Sequence, residues 1–133
     1  MNTLPESPYD PDRRFFSRIM AELLHRHYEA AASGFRLFAE LHPTSTLLVH
    51  GHYWLGECEY QLGQYQDAID AFDLVLSRAP FDPQLAAAAF LRKANSYAQL
   101  GDARRSKNLL ELVVVQFPAT GEAAEARHTL LFP

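Results

Sequence analysis

Apolar residues recur at helical spacing in the middle of the chain, in two stretches that a glycine separates. Residues 52–62 (HYWLGECEYQL) form the first stretch, and Gly63 interrupts the pattern. The second stretch ends at Pro80 and places four residues on one side of a helix: Tyr65, Ala68, Phe72 and Val75. This pattern predicts two antiparallel helices joined by a tight turn, the second helix ending before the proline.

The second stretch has a counterpart on each side of it. Tyr65, Ala68, Phe72 and Pro80 correspond to Tyr28, Ala31, Phe35 and Pro43, 37 residues earlier, and to Ala103, Ser106, Leu110 and Pro118, 38 residues later. A fixed period of this size is typical of solenoids built from helical hairpins.

The residues within each hairpin fit the tetratricopeptide (TPR) pattern. Leu55-Gly56 matches its first helix, and Ala68-x3-Phe72 followed by a proline matches its second helix. The small residues Gly56 and Ala68 allow two helices to approach closely, and Phe72 can fill the space between them. The TPR period is about 34 residues, so each hairpin here is about one helical turn longer.

We therefore predict an all-α fold, a right-handed TPR superhelix of three helical hairpins with a C-terminal capping helix. Residues 1–9 contain two prolines and no periodicity, and we interpret them as a flexible N-terminal lead. The TPR domain then covers residues 10–133. Its predicted repeats are residues 11–43, 44–80 and 81–118, and its capping helix is residues 120–131.

Cap residues and glycines predict where the helices begin and end. The predicted N-caps are Asp10, Thr44 or Ser45, Asp82 and Thr120. Gly63 suits the left-handed residue after a helix. The first turn, at Arg26-His27, lacks such a glycine, and we place the end of the first helix at residue 26.

Composition and charge exclude several classes of function. With 48% apolar and 21% charged residues over 133 positions, the chain can bury the core of one domain. The net charge of −4 argues against a nucleic-acid partner, which requires a basic face. No apolar run is long enough for membrane insertion. The polar, acidic start resembles no signal peptide, so we expect a cytoplasmic protein if Met1 is the natural start, and a periplasmic one if the chain is the mature part of a longer precursor.

The charges are unevenly distributed along the chain. Residues 54–82 contain six acidic residues and one basic residue, whereas residues 92–107 contain five basic residues and one acidic residue. The simpler interpretation is a solvated outer face, to which we also assign Glu57 and Glu59. The alternative is a solenoid whose charge changes from acidic to basic along its long axis, which would orient a partner.

The sequence offers no arrangement typical of catalysis or metal binding. His25 and His27, like His50 and His52, are two residues apart, which on a helix separates side chains by about 200°. Cys58, the one cysteine, fits a small packed residue better than a nucleophile. Phosphate-binding loops and nucleophile motifs are missing. We predict no enzymatic activity, no metal and no cofactor.

A protein-binding groove is the remaining candidate site. In TPR proteins the first helix of each hairpin lines the concave face, and residues four and seven positions apart share one side of a helix. The predicted groove residues are Phe16, Met20, Leu23, His50, Tyr53, Glu57, Tyr60, Leu91, Arg92 and Asn95. The alternative interpretation of Phe16, Met20, Tyr53 and Tyr60 is that they are plain core residues, which suits the tyrosines less because their hydroxyls need water or a partner. Some TPR domains bind the C-terminal carboxylate of a partner with lysine, arginine and asparagine side chains on these helices. We do not expect this use here, because the corresponding positions hold Phe16, Met20 and Trp54, and Arg92 is the one basic residue among them.

One run resembles a narrower family. Residues 53–57 (YWLGE), with Tyr60 and Gly63-x-Tyr65, are similar to the C-terminal TPR domain of the Tol-Pal accessory proteins YbgF or CpoB. The resemblance implies a bacterial cell-envelope scaffold that binds TolA and links envelope constriction to peptidoglycan synthesis. That family's N-terminal coiled coil and signal peptide are not found in this sequence. The alternatives are a free-standing cytoplasmic adaptor and an accessory subunit of a multiprotein complex. Self-association is a further expectation.

Overall fold

The computed structural model describes residues 10–78 and 82–133, so the predicted lead at residues 1–9 and the predicted stop at Pro80 lie outside it. The described residues form helices and no strand, which confirms the predicted all-α fold. The seven helices are α1 (Pro11–Leu24), α2 (Tyr28–Leu41), α3 (Leu48–Gln61), α4 (Tyr65–Arg78), α5 (Pro83–Gln99), α6 (Ala103–Gln116) and α7 (Gly121–Leu131).

The helices stack in chain order. Each helix packs against the next, and α5 also contacts α3 and α7. Helices α3, α5 and α7 therefore lie side by side, which is the arrangement expected for the first helices of successive hairpins. Side chains on their shared face can form one surface.

Three turns between paired helices share the same geometry. The residues that follow α1, α3 and α5 in left-handed conformation are Arg26 (φ 61°), Gly63 (φ 77°) and Gly101 (φ 82°). Around Gly63, the Gly63 N–H donates to the Tyr60 carbonyl and the Gln64 N–H to the Glu59 carbonyl. This pair of bonds is the Schellman motif, and the Arg26 and Gly101 turns repeat it. The left-handed conformation predicted for Gly63 is confirmed.

The core consists of three apolar clusters along the stack. The first joins α1, α2 and α3, the second joins α3, α4 and α5, and the third joins α5, α6 and α7. Phe35 and Phe72 hold equivalent places in the first two clusters and are almost completely buried. The close packing of α3 and α4 that Gly56, Ala68 and Phe72 predict is confirmed, because Gly56 lies directly against the Phe72 ring.

Two predicted helix ends are wrong. Helix α1 stops at Leu24, because Arg26 turns the chain, so His25 and His27 belong to the turn. Helix α3 begins at Leu48 and has Leu47 at its N-cap, without a side-chain cap. Ser45 instead accepts a hydrogen bond from the Leu47 N–H (3.1 Å) and donates one to an Asp12 carboxylate oxygen (2.7 Å). It thus ties the start of the second hairpin to α1.

The other predicted caps are found where the sequence places them. Asp82 accepts a hydrogen bond from the Leu85 N–H, and Thr120 accepts one from the Ala123 N–H. Asp10 is the N-cap residue of α1, although its side chain makes no cap hydrogen bond. Within residues 10–78 and 82–133, no helix combines the length and the apolar character that crossing a bilayer requires.

Candidate protein-binding groove

Two adjoining pockets run along α3, α5 and α7. The first, of about 280 Å³, is lined by Tyr53, Ala88, Leu91, Arg92, Gly121, Glu122 and Glu125. The second, of about 230 Å³, is lined by His50, Tyr53, Trp54, Asp82, Gln84, Leu85 and Ala88. Because Tyr53 and Ala88 belong to both, the pockets form one continuous depression, which we call the α3–α7 groove.

Tyr53 forms the wall at the centre of this groove. Its ring lies edge-on to Trp54, with centroids 5.2 Å apart, and is tilted against Phe72 at 5.7 Å. Burial, followed by the negative charge of Glu57, raises the pKa of the Tyr53 hydroxyl. The ring is therefore held by the second core cluster while one side remains open to the groove.

An ion pair joins α3 to α5 beside Tyr53. The Arg92 Nε donates to a carboxylate oxygen of Glu57 at 2.5 Å. The Arg92 guanidinium carbon also lies 5.0 Å from the centroid of the Tyr60 ring, in cation–π geometry. Burial lowers the pKa of Arg92, but Glu57 outweighs it, so that the net pKa is raised. The charge of Arg92 is thus compensated within the protein.

Helix α7 contributes two carboxylates that are not among the predicted groove residues. Glu122 lies in the first turn of α7, and Glu125 follows one turn later. The Gln84 side-chain amide on α5 donates to both oxygens of Glu122, at 2.6 and 3.0 Å. The equivalent N-caps Asp82 and Thr120, 38 residues apart, would have indicated Glu122, since they place it at the position of Gln84 on α5.

The structure divides the predicted groove residues into two groups. Tyr53, Glu57, Tyr60 and Arg92 lie together, and His50 is exposed where the second pocket begins. Leu91 lines the first pocket but is only 6% exposed, as part of the third core cluster. Asn95 is half-buried on α5.

The three predicted residues on α1 pack elsewhere. Phe16, Met20 and Leu23 are partly buried against the first core cluster. The Phe16 ring lies edge-on to the rings of Phe35 and Phe38, at 5.7 and 5.5 Å. Phe16, Met20 and Leu23 do not line the α3–α7 groove. That they contact a partner stays a prediction.

Two acidic residues assigned to a solvated face are in fact buried. Glu57 and Glu59 are 9% and 5% exposed, and each accepts a hydrogen bond from an arginine of a neighbouring helix. Glu59 accepts a hydrogen bond from Arg36 on α2 at 3.3 Å, and its other oxygen has no partner among the described residues. Burial raises the pKa of Glu59 although Arg36 opposes this.

Ion pairs also connect the acidic and basic segments of the chain. Glu57 pairs with Arg92, and Asp73 on α4 pairs with Lys93 on α5 at 2.7 Å. Some of the unevenly distributed charged residues therefore form ion pairs between successive hairpins.

The remaining candidate chemical groups are packed into the fold. Cys58 is fully buried, and burial, with the charges of Glu57 and Glu59, raises the pKa of its thiol to about 12. The thiol therefore stays protonated, which disfavours nucleophilic chemistry. Burial, together with the positive charge of Arg78, lowers the pKa of His52. In the part of the chain that the structure describes, no three His, Cys, Asp or Glu side chains are grouped to hold a metal ion.

Two stretches of the chain match known repeat families. Family models of the tetratricopeptide repeat match residues 49–82 and 88–120, which together are half of the chain. Among solved structures, the TPR2AB domain of yeast Sti1 in its complex with pHSP90 is similar, with a TM-score of 0.73 over 88% of this chain at 17% identity. The chain spans 45% of the length of that structure. No curated protein matches it. The chain belongs to the tetratricopeptide-repeat family.

Proposed function

We propose that this protein is a non-enzymatic scaffold that binds a segment of a partner protein in the α3–α7 groove. The observation that carries the proposal is the continuous groove with Tyr53 at its centre, lined also by the polar side chains of His50 and of Arg92, which Glu57 holds in place. The Sti1 structure contains a repeat domain of this fold together with a protein partner. At 17% identity that likeness concerns the fold and not the partner.

The composition of the groove suits a peptide segment. An aromatic ring held by core neighbours provides contact area with little loss of conformational freedom, and such residues often dominate binding energy. Tyr53 has this position, because the buried Phe72 ring lies against it and the Trp54 ring lies beside it. The surrounding polar groups can fix the direction of an extended or helical segment.

The test begins with partners captured on immobilised protein and continues with calorimetric titration of variants. Tyr53→Ala should weaken binding by about 2 kcal/mol, roughly thirtyfold. The control is Arg104→Ala on α6, whose exposed side chain lies away from the groove and should change affinity little. Normal binding by Tyr53→Ala, with a loss in the α6 variant, would reject the groove assignment. A thermal unfolding curve of each variant checks that the variant is folded at the titration temperature.

A narrower proposal concerns the identity of the partner. The run YWLGE at residues 53–57 resembles the Tol-Pal accessory proteins, and two of its residues, Tyr53 and Trp54, line the groove. We propose a TolA-like partner in the bacterial cell envelope on this basis. Titration with TolA tests it. Failure to bind TolA, with another protein captured through Tyr53, would favour the adaptor or accessory-subunit role.

A further inference from the structure

The charges that line the α3–α7 groove do not balance. Its lining includes three carboxylates, from Asp82, Glu122 and Glu125, and one guanidinium, from Arg92. The guanidinium is already paired with Glu57 and stacked on Tyr60. Among the described residues, the carboxylates of Glu122 and Asp82 accept hydrogen bonds from neutral groups, the Gln84 amide and the Leu85 N–H. The groove therefore presents an excess of negative charge.

We propose that the groove recognises a partner segment that carries lysine or arginine side chains, with Glu122 and Glu125 as the residues that select it. The inference rests on the proposed function and adds the chemistry of the partner. A cationic side chain that enters the first pocket meets the Tyr53 ring and the two α7 carboxylates. Aromatic faces and carboxylates both attract cations. An acidic segment would face these carboxylates while the nearest guanidinium is occupied by Glu57.

The proposal gives α7 a part in recognition as well as in closing the core. Its inner side buries Ala123 and Ala126 in the third core cluster, which fixes the helix against α5 and α6. Glu122 and Glu125 are the residues that precede these alanines, and they line the groove. Carboxylates on a helix held in this way are pre-positioned, so little conformational entropy is lost when a cation binds.

The experiment is selection from a library of random short peptides displayed on phage, followed by titration of the selected peptides. Four proteins are compared: the wild type, Tyr53→Ala, Glu122→Gln/Glu125→Gln, and the control Glu40→Gln/Glu111→Gln. The control removes the same two charges from exposed positions on α2 and α6. We expect the wild type to enrich peptides with lysine or arginine. Their affinity should fall about three- to thirtyfold in the α7 variant and change less than twofold in the control. It should also fall in about 1 M salt.

The outcomes separate this inference from the proposed function. Peptides that bind through Tyr53 but are neutral or acidic, or that tolerate the α7 variant, overturn the inference and leave the groove as a peptide site. Failure to enrich any peptide relative to Tyr53→Ala overturns both. Equal loss of affinity in the α7 variant and in the control would show that net charge, and not the groove, attracts the peptides, which also overturns the inference.

Discussion

The Phe72 ring fills the space into which a side chain at Gly56 would project. A Cβ atom built on Gly56 would lie 2.6 Å from the Phe72 Cε1 atom and 2.8 Å from its Cζ atom. Both residues are buried, so the ring cannot move out into solvent. The close approach of α3 and α4 therefore depends on this glycine and this ring together.

Gly56→Ala should accordingly destabilise the protein. Overpacking of a well-packed core lowers the free energy of unfolding by about 1–3 kcal/mol. Phe72→Ala, which leaves a cavity, should lower it by about 3–5 kcal/mol. Urea denaturation measures both. Gly121→Ala is the control, because no atom lies within 4 Å of a Cβ at that position. A Gly56→Ala protein as stable as the control would contradict this packing.

Arg26 occupies the turn position at which the other two hairpins have glycine. Its φ of 61° is unfavourable for a residue with a Cβ, by about 1–2 kcal/mol. Glycine removes this strain, but it is also more flexible in the unfolded chain. This flexibility cancels about 0.4–1 kcal/mol of the gain in the free energy of unfolding. Arg26→Gly should therefore raise the free energy of unfolding by about 0.5–1 kcal/mol. Arg18→Gly, inside α1, should lower it by about 1 kcal/mol. Destabilisation by Arg26→Gly would contradict the interpretation of this turn.

The Glu57–Arg92 pair should stabilise the contact between α3 and α5. A double-mutant cycle with Glu57→Gln and Arg92→Met should give a coupling energy of about 1–2 kcal/mol, because the Glu57 side chain is largely buried and Arg92 is only partly exposed. The control pair is Lys107–Glu111, which is exposed and 4.0 Å apart and should couple by less than about 0.5 kcal/mol. Equal coupling energies in the two cycles would show that burial adds nothing to the first pair.

Glu59 should make stability depend on pH in the direction opposite to that of most carboxylates. Because its pKa is raised in the folded state, the folded protein holds this proton more tightly than the unfolded chain does. Its contribution to stability is therefore full below the ordinary pKa of 4.5 and falls as the pH rises towards the folded pKa.

The measurement is chemical denaturation of the wild type and Glu59→Gln at several pH values. Glutamine does not titrate, so the stability of Glu59→Gln relative to the wild type should increase as the pH rises from 4.5, and should then level off. Arg36→Gln is the matched control for loss of the cross-helix bond. A relative stability that does not change with pH would mean that burial does not perturb Glu59.

The fold could be predicted from the sequence because its signals are local and repeated. Tyr65, Ala68 and Phe72 fix the register of a hairpin, and the same offsets recur on both sides. Gly63 and Gly101 mark turns that need a left-handed residue. Arg26 carries no such signal, because its conformation is imposed by the packing of α1 and α2 on either side of it.

The groove could be predicted only in part. The spacing of Tyr53, Glu57 and Tyr60 identifies one side of α3, but it does not reveal that Glu57 faces an arginine 35 residues away. Phe16 has the same place in the period, yet its ring packs into the core between α1 and α2. Helical spacing shows which residues share a side, whereas the neighbouring helices decide whether that side is covered.

The central claim is that a partner segment lies in the α3–α7 groove, and the most direct test is nuclear magnetic resonance of ¹⁵N-labelled protein titrated with the tightest peptide from the phage selection. We predict the largest amide shift changes around Tyr53, Ala88 and Glu125, which line the groove. The exposed Leu74 on α4 and Val115 on α6 should shift little. Large changes confined to α4 and α6, with Tyr53 and Ala88 unaffected, would contradict the account.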